Sequence, residues 1–227
     1  MNIDMKAMKA ELGGAFLLSW VVLKLATMVD DPDSGDNVTL MASTGADMTL
    51  AGALMIGVAW TAFSGAHILP VVTWSHMMTG DLSDAEGNWM ANGMRLVAQV
   101  IGSLLAVLLM TEASPIAAGT KDAFALATEM NISGISDNVW GILGMLAAGA
   151  IWWQIHTRCD NAWMSAIGLM AVAGAMSLTG ALEMGTSIAM GGSEIANVLV
   201  NWVTDGLFVG IGAWLGVTVD GLIGEEE

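Results

Sequence analysis

Charge is scarce in this chain, and positive charge is scarcest. Lysine and arginine number 6 in 227 residues against 22 aspartates and glutamates, for a net charge of −16. Charged residues make up 12% of the chain, where soluble domains carry about 25%. So acidic a balance argues against nucleic acid as a partner, because phosphate backbones are met by basic patches. Cysteine occurs once, as Cys159, so no intrachain disulfide forms and the redox compartment stays open. No second histidine or cysteine stands at ligand spacing from His67, so no metal and no cofactor is expected. The 28 glycines are spread through apolar stretches and build no phosphate-binding loop. Nothing points to an enzyme.

Apolar sequence is what the chain has in quantity. Hydrophobic residues make up 55% of it, and the mean hydropathy is +0.66. Ala15 to Val29 carries one charge, Lys24. Leu50 to Phe63, Leu96 to Thr111, Val139 to Gln154, Ala162 to Leu182 and Gly206 to Val219 carry none. With their weakly polar flanks, each approaches the roughly 17 to 20 residues that a membrane span needs. The sequence therefore predicts an all-α membrane protein with six transmembrane helices. The run after Met1 to Glu11 is helix-length, so no cleavable signal peptide is expected. Lys6, Lys9, Arg95 and Arg158 flank helix ends on one side, which assigns both termini to the cytoplasm. The 19 methionines read as adaptable packing. Trp89, Trp140 and Trp202 read as interfacial anchors, with Trp60, Trp152 and Trp153 deeper. Asp30, Asp31, Asp33, Asp36 and the tail Glu225 to Glu227 read as a solvated acidic surface or as a cation-attracting vestibule.

One segment breaks the apolar pattern: Ser64-Gly65-Ala66-His67-Ile68-Leu69-Pro70-Val71-Val72-Thr73. Irregular backbone of this kind is tolerated at membrane depth only where protein or a water-filled cavity surrounds it. A second interruption, Thr186 to Ser193, precedes Ile195 to Val203. Interruptions at matching places in two halves point to a site near the midplane. The halves divide as 1–133 and 134–227 within a single domain, 1–227. Three spans per half give them opposite orientation.

The first segment resembles the Ser-Gly-Ala-His-Leu-Asn-Pro-Ala-Val-Thr signature of the aquaporin and glycerol-facilitator family. Leu69-Pro70-Val71 stands where that family has Asn-Pro-Ala. The second segment resembles the family's Thr-Ser-Val-Asn-Pro-Ala-Arg-Ser at Thr186, Ser187 and Ser193, with Ala189-Met190-Gly191 for Asn-Pro-Ala and Gly192 for the arginine. Glu11 with Gly13-Gly14, and Gln99 with Gly102, resemble its first- and third-helix landmarks. The resemblance implies six helices plus two re-entrant half-helices in an inverted repeat, assembled as a homotetramer.

Carried over by position, the family's outer constriction falls on Thr49, Ser177, Thr186 and Gly192. None of these is large, aromatic or charged. His67 takes the inner-vestibule position. Glu11, Gln99 and Glu194 are placed as loop-stabilising groups, Glu194 alternatively as a pore-facing carboxylate. Glu183 and Lys24 read as interfacial, and His156 and Arg158 as cytoplasmic surface residues. The function so implied is passive conduction of water and small uncharged solutes such as glycerol, urea or ammonia through a wide, arginine-free filter. The partners are those solutes and membrane lipid, in the plasma membrane. The alternatives are a cation channel on the same fold, or a non-conducting structural subunit whose pore line is filled by Trp or Met.

Overall fold

The computed structural model describes residues 4–29, 45–113, 139–159, 161–173, 176–189, 191–192 and 195–224. The first helix starts where Asp4 caps it. Asp4 Oδ1 accepts the backbone N–H groups of Lys6 (2.9 Å) and Ala7 (3.1 Å), donors that a first turn leaves unpaired. From there α1 runs over Met5–Val29. Next, α2 covers Gly45–Ala62 and closes in a turn at 63–65, where Gly65 takes φ +83°. Residues 66–69 are non-helical, and α3 is short, Pro70–Thr79. Pro70 stands at its start, where a missing N–H costs nothing. Asp84 then caps a π-helical turn, Ala85–Met90, through the Gly87 N–H at 2.8 Å. That turn runs into α4, Ala91–Ala113.

The second half follows with α5 (Val139–Arg158), α6 (Ala162–Ala173), α7 (Met176–Ala189) and α8 (Ile195–Gly224). Asn161 caps α6, its Oδ1 accepting from the N–H groups of Trp163 (2.9 Å) and Met164 (3.2 Å). Among the described residues there is no strand.

The packing pairs these helices in a regular way. α1 lies along α4 and α5 along α8, while α2 meets α6. The short α3 lies along α8, and α7 along α4. α1 also meets α2 as α5 meets α6, α3 meets α4 as α7 meets α8, and α3 touches α7. Exchanging α1–α4 with α5–α8 leaves this set of principal pairings unchanged. Glycines allow two of the seams. A Cβ on Gly102 of α4 would collide with the Leu12 carbonyl of α1, and one on Gly212 of α8 with the Leu146 carbonyl of α5. Small residues at such places let helix backbones approach closely.

Three stretches are long and apolar enough to cross a membrane: Ala85–Thr111, Val139–Arg158 and Ile195–Leu222. Gly52–Ala62 and Ala162–Val172 are apolar but shorter. The outward faces are apolar too. On α4, Val97, Ile101, Leu105, Leu108 and Leu109 are exposed, and on α5 Trp140 is 85% exposed.

The structure departs from the sequence reading in the second half. Residues 162–182, expected as one helix, belong to two, α6 and α7. Ile195–Val203, expected as a separate half-helix, opens the single 30-residue α8. The expected break before it is the last turn of α7 followed by Gly191 and Gly192, at φ +91° and +75°. Two glycines free to take positive φ end a helix there rather than start one. Between Val203 and Gly206 only Thr204 and Asp205 intervene, and neither breaks a helix.

Candidate functional site

The non-helical segment before α3 is tied down by one buried carboxylate. Glu11, on α1, has no solvent exposure. Its Oε1 accepts the backbone N–H of His67 at 2.6 Å and its Oε2 that of Ile68 at 2.8 Å. Arg95 of α4 donates to Oε1 at 2.7 Å and Gln99, one turn on, to Oε2 at 2.9 Å. Arg95 also reaches the Gly65 carbonyl at 3.0 Å. A buried carboxylate persists only when paired and hydrogen-bonded in this way. These contacts hold Ile68 at φ +67°, a conformation that a β-branched residue adopts only under constraint.

Thr73 completes the knot from inside α3. Its hydroxyl donates to the Leu69 carbonyl at 3.3 Å and accepts from Gln99 Nε2 at 3.0 Å. His67 Nδ1 lies 3.2 Å from the same oxygen. With the hydroxyl proton already given to Leu69, Nδ1 is the donor in that contact.

The start of α3 has no side-chain cap. Leu69 supplies no polar atom there, so the first-turn N–H groups and their partial positive charge meet apolar surroundings. Ile68 and Leu69 are buried to 0% and 1% exposure, within one cluster that includes Trp152, Met170 and Leu182. Pro70 is buried and Val71 half-buried.

The structure gathers all three histidines of the chain. His67 stacks face to face on His76 of α3, with ring centroids 4.1 Å apart and planes 3° from parallel. His76 meets His156 of α5 edge-on at 5.9 Å and Trp153 at 4.9 Å. Around His156 stand Trp152 (5.1 Å), Trp153 (5.3 Å) and Trp60 (6.2 Å). His156 Nδ1 lies 2.5 Å from Ser165 Oγ on α6. The Trp60 indole donates to the His67 carbonyl at 3.1 Å and that of Trp152 to the Ser165 carbonyl at 3.2 Å. His156 is therefore half-buried in an aromatic cluster, not the surface residue expected, because α5 turns that face onto α3 and α6. His156 follows Trp152 and Trp153 by four and three residues; that spacing puts the three on one helical face. Among the described residues no group of three or more histidine, cysteine or acidic residues is arranged to hold a metal ion.

The remaining expected positions separate. The side chains of Thr49 and Ser177, and all of Met190 and Glu194, lie outside the described residues. Thr186 is buried on the last turn of α7, with no partner for its hydroxyl among the described residues. Ser187 beside it is in the same condition. Ala189 ends α7 and Gly191 and Gly192 form the turn beyond it, so this motif closes a helix instead of opening one. The residues that do open the second short helix sit earlier. Gly174-Ala175 stands immediately before α7 in the sequence, whereas Gly65-Ala66 stands four to five residues before α3, so the aligned Leu178 and Thr179 fall within the first turn of α7 and not before it. On that spacing Leu178-Thr179 matches Leu69-Pro70.

No family model matches this chain, and no curated protein matches it.

Proposed function

We propose that the chain is a membrane channel of the aquaporin type, built as an inverted repeat of three spans and one half-helix each. In this reading α3 and α7 are the two half-helices. The observation that carries it is their reciprocal packing: α3 along α8, α7 along α4, and α3 against α7. Two short helices, each seated on the last helix of the opposite half, are what an inverted repeat needs at its centre. The broad apolar faces of α4 and α5 support a lipid surroundings, since soluble monomers rarely expose contiguous patches of that size. The plasma membrane, cytoplasmic termini and a homotetramer belong to the same proposal.

The solutes proposed are water and small uncharged molecules. At the start of α3, Leu69 provides no donor side chain, which leaves backbone dipoles there to oppose cations. Of the four expected filter positions, Ser177 lies in the first turn of α7, while Thr186 is in its last turn and Gly192 beyond it. A second reading, a non-conducting membrane protein, is favoured by the packing of Ile68, Leu69 and Trp152, all at or below 1% exposure.

Light scattering from proteoliposomes after osmotic mixing separates the two. Shrinkage faster than that of empty vesicles, with re-swelling in glycerol or urea, is the expected result. Rates equal to empty vesicles for water and every solute, at neutral and acid pH alike, would leave the non-conducting reading.

A further inference from the structure

We infer that His67, His76 and His156 form an acid-operated latch that fastens α3 to the end of α5. Its consequence for flux rests on the channel reading above; the latch itself does not. α3 and α5 are not among the principal backbone pairings. What joins them are ring contacts, His76 on Trp153 at 4.9 Å and on His156 at 5.9 Å. The third ring, His67, is stacked under His76 at 4.1 Å and anchored through its backbone to Glu11. Neutral imidazoles pack at these distances without penalty, whereas two imidazolium rings as close as His76 and His156, 5.9 Å apart, repel in a water-poor setting.

Two carboxylates around the ring cluster are already engaged by cations, Glu11 by Arg95 and Asp220 by Arg158. Glu11 on α1 already serves the His67 and Ile68 N–H groups, Arg95 and Gln99. Arg95 on α4 adds a positive charge on the same side. α6 contributes only the Ser165 hydroxyl and α2 the Trp60 indole. α7 and α8, which also touch α3, carry Glu183, Asp205 and Asp220, and Asp220 is paired with Arg158, two residues beyond His156 on α5. Gly206, next to Asp205, lies against the Trp74 ring, and residues two apart on a helix, such as Trp74 and His76, face different sides. Trp152, stacked on His156 at 5.1 Å, accepts a cation over its face, so His156 can take a proton in place. Charge there and on His76 then forces the rings apart. In the latched form the start of α3 is packed shut at Ile68 and Leu69; releasing α3 from α5 loosens that packing.

The test follows tryptophan fluorescence in detergent and osmotic flux in proteoliposomes from about pH 8 to about pH 4, a range that runs from above the ordinary imidazole value of about 6.5 down toward the lower values at which buried imidazoles take a proton. Asp4 and Asp81 stay outside that window. Backbone N–H groups of Ala7 and Lys6 hold Asp4, and the Ser83 hydroxyl and N–H hold Asp81, below the usual 3.8. His76→Phe keeps a ring in the stack and removes the titration; His156→Gln removes the titration at the half-buried end while keeping a polar group of similar reach. The native protein is expected to show one acid transition in fluorescence with a matching rise in flux, and both variants to lose it. A fluorescence transition lost in both variants but with no flux at any pH supports the latch and sinks the channel reading. Fast flux that is flat across pH, with flat fluorescence, overturns the latch and leaves the channel reading standing. A transition that survives in both variants also overturns it.

Discussion

Replacing Glu11 by alanine would strip four donors of their acceptor at once, two backbone N–H groups, Arg95 and Gln99. Removing one partner of a buried ion pair costs about 3–5 kcal/mol, and with Arg95 20% exposed the lower end of that range is expected. A thermal melt in detergent followed by circular dichroism checks it; an unchanged midpoint would mean that the loop is held otherwise. At the exposed turn after α3, the Ser83 hydroxyl donates to Asp81 Oδ1 at 2.6 Å and holds that carboxyl below its usual value of 3.8. A depressed carboxyl adds stability above its unfolded value and loses it as pH falls through the folded one. Ser83→Ala should therefore move the Asp81 titration upward toward 3.8, as read by carboxyl NMR shifts. Glu11 was legible in the sequence because a lone acid ahead of an apolar run needs partners. Arg95 was not legible as one of them: 84 residues separate the pair, and its position at a helix end reads equally well as an orientation signal. His76 and His156 escaped for the same reason, since spacing says nothing about rings brought together from α3 and α5.

The first half of the chain was easier to read than the second, and the difference lies in single residues. Pro70 marks the start of α3 because proline suits a first helical turn, where its missing N–H has no partner to lose. α7 starts at Met176 amid apolar sequence, so the hydrophobic run passes over the boundary at 174–175. The Gly191-Gly192 pair is conspicuous and draws the eye to the wrong end of that helix. The long spans were visible as runs, and three of them stand as helices long and apolar enough to cross a bilayer. Gly192, at φ +75°, ends the turn between α7 and α8. A Gly192→Ala change places a Cβ in the left-handed region at about 1 kcal/mol. A modest drop in melting temperature with helix content retained is the expected outcome; no drop would mean that the turn is free to rearrange.

At the scale of the whole molecule, apolar stripes on α4, α5 and α8 remain exposed after the helices pack together. A chain of this kind should stay with the vesicle pellet through alkaline carbonate washing, and release into the supernatant would rule out a multi-pass arrangement. The interior combines a polar knot at Glu11, a filled line at the start of α3 and three histidines beside it. On the proposed channel reading, that combination suits a passage kept closed at neutral pH better than one held permanently open. The temperature dependence of osmotic water flux, measured in proteoliposomes at neutral and acid pH beside empty vesicles, tests the central claim most directly. A conducting pore predicts water flux at acid pH that is faster than through lipid and rises less steeply with temperature. Rates and slopes that match empty vesicles at both pH values would contradict the channel.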